Sequence, residues 1–109
     1  MQIRGCGTAI ITPFREGVVD LDALAKLVES QIEGGVDFLV PCGTTGESPT
    51  LTDKERIAVI ERTVDAAAGR VPIVAGTGTN DTQHSVDMTR AAKAAGANAC
   101  LAVAPYYNK

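Results

Sequence analysis

Apolar and polar residues follow two recurring rhythms along this chain. Residues 6–12 (CGTAIIT) form a short, β-branched apolar run ended by Pro13, which predicts a first strand. After the turn signal Glu16-Gly17, Asp20 can cap a helix whose apolar residues Leu21, Leu24, Leu27, Val28 and Ile32 recur at steps of three and four. Gly34-Gly35 ends that helix, and 36–41 (VDFLVP) reads as a second strand. Thr52 and Glu55 form a capping-box pair that opens a second helix, with Ile57, Ile60, Val64 and Ala68 as its expected apolar stripe and Gly69 as its stop. Residues 71–75 (VPIVA) predict a third strand. The polar run 77–82 leads into a third helix ending at Gly96, and 99–104 (ACLAVA), closed by Pro105, predicts a fourth strand.

The three helix exits share one plan: a glycine, a few residues, then an apolar strand. Glycine suits a helix C-terminus because it enters the left-handed conformation without steric cost. Repeated helix, glycine and buried strand predict a parallel α/β sheet. Two architectures fit that pattern. An open doubly wound sheet would be complete near this length, whereas a (β/α)8 TIM barrel needs about 250 residues, so four parallel strands and three helices would make its first half. Periodicity alone leaves both open.

The composition is that of an ordinary globular domain: 109 residues, 45% hydrophobic and 21% charged. A net charge of −3 supplies no basic surface for phosphates, so no nucleic-acid partner is expected. No apolar run approaches the ~18 residues that span a membrane, and the opening Gln-Ile-Arg-Gly after Met1 does not read as a signal peptide. The expected compartment is the cytoplasm. Cys6, Cys42 and Cys100 are widely spaced and are expected to be reduced, buried thiols. The single histidine, His84, has no second metal-ligand type at i+4 and reads as an exposed helix residue. Neither a metal nor an organic cofactor is expected.

The densest chemical signal is Gly43-Thr44-Thr45-Gly46-Glu47, directly after the second predicted strand. In parallel α/β folds the loops at the carboxyl ends of strands build the site. Its glycines let backbone N–H groups approach a ligand and its threonines add hydroxyls, a combination suited to a small carboxylate. A turn in which the threonines only cap the next segment fits equally well. The loop lacks the Gly-Lys-Ser/Thr of a phosphate loop. Gly76-Thr77-Gly78 repeats the signal more weakly. Pro105-Tyr106-Tyr107-Asn108, after the fourth predicted strand, holds the only two tyrosines. A phenol there could relay a proton or simply pack at an interface.

Taken together, these two motifs, with Ala75-Gly76-Thr77-Gly78 between them and Thr12-Pro13 near the start, resemble the dihydrodipicolinate synthase family. The resemblance runs from about Gly5 to Lys109 and implies the barrel: residues 1–109 would be the N-terminal part of a single TIM-barrel domain whose remainder is absent. It also implies a class I lyase in which a lysine on the sixth strand attacks the ketone of pyruvate, and the resulting enamine adds to an aldehyde, aspartate semialdehyde in lysine and diaminopimelate biosynthesis. Thr44 would supply a relay hydroxyl and Tyr107 the relay phenol, reaching into the neighbouring subunit of a homo-oligomer. Thr45 would hold the pyruvate carboxylate.

Glu47 would orient the loop. Ser48, Asn80 and Tyr106 match the pocket in which some members bind lysine as a feedback inhibitor, but His84, Asp53 and Arg56 replace residues that help to hold it. N-acetylneuraminate lyase and the keto-deoxy sugar-acid aldolases are the alternative activities within the same superfamily.

The Schiff-base lysine would lie in the part of the barrel absent here; Lys109, in Tyr-Tyr-Asn-Lys, comes two strands too early. The 109-residue chain alone is therefore expected to be inactive. Its outer strands would be open edges and its inner face would expose Val, Ile and Cys side chains. A half barrel acting only as an assembly unit, with no catalysis, is the alternative of a different class.

Overall fold

The computed structural model describes residues 5–10, 12–42, 52–77 and 82–101. Its elements run β1 (Gly7–Ile10), β2 (Phe14–Arg15), β3 (Val18–Val19), α1 (Leu21–Glu33), β4 (Phe38–Pro41), α2 (Asp53–Ala67), β5 (Val74–Gly76), α3 (Thr82–Ala94) and β6 (Ala99–Leu101). The four expected parallel strands are β1, β4, β5 and β6. A short antiparallel hairpin, β2–β3, is added where the sequence showed only a turn. Its two-residue loop, Glu16 at φ 54 and Gly17 at φ 82, has the positive dihedrals that match the twist of paired strands.

The parallel strands stand side by side in the order in which the chain makes them. β1 pairs with β4 from Gly7↔Phe38 to Ile10↔Pro41. β4 meets β5 through the parallel bridge Leu39↔Ile73, and β5 pairs with β6 from Val74↔Ala99 to Gly76↔Leu101. One helix separates each strand from the next. A doubly wound sheet reverses its strand order at a switch point, and a barrel does not. The observed order is that of a barrel.

The start of β4 and the start of β6 are fastened in the same way. The Asp37 carboxylate accepts the N–H of Cys6 at 2.8 Å while the Asp37 N–H donates to the Cys6 carbonyl at 2.9 Å. Asn98 Oδ1 accepts the N–H of Ile73 at 2.8 Å and the Asn98 N–H donates to the Ile73 carbonyl at 2.9 Å.

Strand residues alternate between two faces. Ile10, Leu39, Ile73 and Ala75 turn toward the helices and form the core with Leu24 and Val28 of α1, Val59, Ile60 and Ala67 of α2, and Ala92 of α3. The other face carries Gly7, Ala9, Phe38, Val40 and Val74 by register, none of them fully buried. Ile10, Ile73 and Cys100 therefore lie on the helix side, contrary to the expectation that Ile and Cys would line the inner face, whereas Val40 and Val74 do lie there; Ile11 is outside the described residues. The Phe38 ring lies over Gly7, where it occupies the space that a Cβ would take and would have to swing aside for a larger residue.

The helix caps match the sequence reading. Asp20 Oδ1 accepts the Ala23 N–H at 2.9 Å, and Thr52 and Glu55 exchange bonds of 2.8 and 3.1 Å in a complete capping box. The buried face of α2 differs from the expected stripe. It consists of Arg56, Val59, Ile60, Thr63 and Ala67, whereas Ile57 and Val64 are half-buried and Ala68 is the exposed, left-handed C-cap. Two polar residues lie within the true core face, so the apolar pattern points to its flank. Thr63 avoids a desolvation cost by donating its hydroxyl to the Val59 carbonyl at 2.8 Å.

Candidate functional site

Thr12, Cys42 and Thr77 follow the carboxyl ends of β1, β4 and β5, and all three are buried. Thr44, Thr45, Glu47, Ser48, Asn80, Tyr106, Tyr107 and Lys109 lie outside the described residues. What the structure shows is the rim from which those segments continue.

That rim is tied together by side chains from α2 and α3. Cys42, the residue before Gly43, has φ 59, an uncommon backbone state for a residue with a Cβ. Its side chain is sealed in the core and its Sγ donates to the Arg56 carbonyl at 3.8 Å. Burial pushes the Cys42 thiol up to about 11, although the nearby Arg56 cation opposes the shift. At neutral pH the group is a protonated, inert thiol. Arg56 is only 6% exposed, and its Nη2 donates to the Gly76 carbonyl, the last residue of β5, at 3.2 Å. Its buried Nε–H meets no acceptor among the described residues. Beside it, the Thr77 and Thr89 hydroxyls lie 3.0 Å apart, and Cys100 Sγ donates to the Thr89 carbonyl at 3.9 Å. Burial raises the Cys100 thiol as well.

The first turns of α2 and α3 meet through His84 Nε2 and Asp53 Oδ2, 2.7 Å apart. His84 is thus paired and half-exposed, not the simple exposed helix residue that the sequence suggested. Cys6 departs from expectation in the other direction. It lies exposed at the open amino end of β1, while Cys42 is buried and Cys100 half-buried. A groove of about 580 Å³ between α2 and α3, floored by Ile57 and Met88, lies in the helical layer rather than among the strand ends.

Arg56 is the rim residue whose role the sequence did not reveal. The available signal was a charge at the helical spacing of Val59, Ile60 and Thr63, inside what proves to be the buried face.

Consecutive parallel strands, an outer layer of helices and a buried rim at the strand carboxyl ends define a segment of a βα-barrel protein. The chain belongs to the dihydrodipicolinate synthetase family, whose model matches residues 2–109. It is 52% identical over 109 residues to the 4-hydroxy-tetrahydrodipicolinate synthase of Maridesulfovibrio salexigens, covering 100% of this chain and 37% of that protein. It is 56% identical over 108 residues to the synthase of the same name from Roseobacter denitrificans, covering 99% and 37%. Among solved structures, dihydrodipicolinate synthase from Aquifex aeolicus superposes with a TM-score of 0.90 at 52% identity, over 96% of this chain and 36% of that one.

The chloride-inhibited dihydrodipicolinate synthase from Acinetobacter baumannii, complexed with pyruvate, gives 0.92 at 48% identity, over 99% and 38%. The chain thus spans about 37% of the length of the curated relatives it matches. Its four parallel strands and three helices are the opening units of a (β/α)8 barrel. Among the described residues, no helix is long and apolar enough to cross a membrane.

Proposed function

We propose that this segment serves, within a whole barrel, a lyase that condenses pyruvate with aspartate semialdehyde in lysine and diaminopimelate biosynthesis. The observation that carries this reading is the 52–56% identity, along the whole segment, to relatives named 4-hydroxy-tetrahydrodipicolinate synthase. A relative at 48% identity that was crystallised with pyruvate supports the choice of first substrate. The same similarity favours the synthase over N-acetylneuraminate lyase and the sugar-acid aldolases, and over a half barrel without catalysis.

In this reading a lysine elsewhere in the barrel attacks the pyruvate ketone, water leaves, and loss of a methyl proton gives the enamine that adds to the aldehyde. Thr45 holds the pyruvate carboxylate through its hydroxyl and amide. Thr44 and Tyr107 pass protons, which a chain of hydroxyls can do between better acids and bases. Tyr107 serves the neighbouring subunit, so the working form is a homo-oligomer, and the three free thiols suit the cytoplasm. Ser48, Asn80 and Tyr106 line the lysine pocket. His84, bonded to Asp53, and Arg56, buried among the strand ends, stand where some members of the family have residues that help to hold the lysine.

Trapping with pyruvate and borohydride, read by peptide mass spectrometry, tests the reaction. A whole-barrel protein should carry one adduct, on a lysine outside residues 1–109, and the 109-residue chain alone should carry none. An adduct on Lys109, or no adduct on the whole barrel, would overturn the reading.

A further inference from the structure

The face that α2 turns to the sheet is made by Val59, Ile60, Thr63 and Ala67, with Arg56 at its amino-terminal end. A buried guanidinium is an expensive occupant of such a place unless it is paired, and an apolar residue of similar volume would ordinarily be tolerated as well or better. No carboxylate among the described residues pairs with it. Among the described residues its guanidinium instead bonds a main-chain carbonyl, that of Gly76 at the end of β5. Its own carbonyl accepts the thiol of Cys42, just past the end of β4. Cys42 is also the residue held at φ 59, and strained backbone of this kind persists only where its surroundings over-determine it. Position 56 of α2 therefore meets the carboxyl ends of two neighbouring strands at once, β5 through the guanidinium and β4 through a main-chain carbonyl that any residue there would keep.

We propose that Arg56 is a positioning residue for the condensation reaction: bonding the Gly76 carbonyl from a helix whose main chain also takes the Cys42 thiol, its guanidinium fixes the end of β5 against that of β4 at the catalytic rim. The inference rests on the reading of the reaction given above. Arg56 touches no substrate in this scheme. It acts through the end of β5, so its loss displaces reacting groups and leaves the affinity for pyruvate nearly intact.

The test compares Arg56→Met and Arg56→Lys in the whole-barrel enzyme. Methionine fills a similar volume with no donor, whereas lysine can still donate to the Gly76 carbonyl. Arg56→Met, checked for folding by circular dichroism and melting, should lose roughly 10- to 100-fold in kcat, with little change in the KM for pyruvate, the scale of a small misplacement at a reacting centre. Arg56→Lys should recover most of that loss. Amide hydrogen exchange at Thr77 should quicken in Arg56→Met and stay slow in Arg56→Lys. A folded Arg56→Met enzyme with wild-type kcat overturns the proposal, as does Arg56→Lys being equally slow. If the wild-type enzyme never traps pyruvate, the reaction reading fails instead, and unchanged exchange in Arg56→Met would then refute the grip itself.

Discussion

Asn98 repeats, at the start of β6, the double bond pattern that Asp37 makes at the start of β4. Each side chain accepts an N–H from the residue just before the preceding parallel strand, and each backbone N–H donates to the carbonyl of that same residue. The two clamps differ in burial. The Cys6 amide is exposed and can turn to water, whereas Ile73 is 2% exposed and cannot. Removing a partner from a buried donor costs about 1–3 kcal/mol, against about 0.5–1.5 kcal/mol for an ordinary hydrogen bond. Asn98→Ala should therefore destabilise more than Asp37→Ala, and Asp37→Asn should be close to wild type. Urea unfolding midpoints check the order, and equal losses for the two alanine variants would contradict it.

The cysteines should separate by reactivity. Under native conditions a thiol reagent should label Cys6 first, Cys100 more slowly and Cys42 only on unfolding, in line with their exposure. Cys42 also imposes a pH dependence. Its thiol keeps its proton in the fold up to about 11, while in the unfolded chain it ionises near the ordinary value of 9.0. The stability this contributes is complete below pH 9 and is lost as the pH rises toward 11, because the unfolded state then binds fewer protons than the folded one. In alkaline unfolding series Cys42→Ala should show a shallower decline than wild type, and parallel curves would count against the assignment.

Thr44→Val in the whole enzyme keeps the shape of the side chain and removes only the hydroxyl. Turnover should fall by about 10²–10⁴-fold, the range for a positioned proton-transfer group, with pyruvate binding largely retained through Thr45. Steady-state kinetics would decide, and near-wild-type turnover would make Thr44 a turn residue only.

Tyr107→Phe should leave the oligomer intact, by sedimentation, yet abolish most activity. Mixed with a variant lacking the Schiff-base lysine, it should regain some activity, because one site of a mixed dimer then has both an intact lysine and an intact incoming phenol. Confirmed subunit exchange without recovery would place the action of Tyr107 within its own subunit or nowhere.

The strand and helix order was legible because each element announces its own boundary chemistry. Asp20, the Thr52–Glu55 pair and the glycines after each helix act locally and are found where the sequence places them. The face of α2 was less legible, since Arg56 and Thr63 are buried by bonds to carbonyls that only tertiary structure supplies. The hairpin at Glu16-Gly17 was hidden for a similar reason: its strands are two residues each, too short to show an alternating pattern. The loop motifs pointed to a family through their order along the chain, but spacing could not show that an arginine thirteen residues beyond Gly43 underlies the rim.

The side-by-side order of the parallel strands also bears on how the chain assembles. Pairing each strand with the next closes a segment of only ~25–35 residues, and the entropy of closing such loops grows slowly with length. β4 can dock on β1 once α1 has formed, and β5 on β4 in turn, without waiting for any later part of the chain. On a ribosome, where the amino-terminal region emerges first, the sheet can widen one strand at a time in the direction of synthesis, so that the order of translation becomes the order of strands around the barrel.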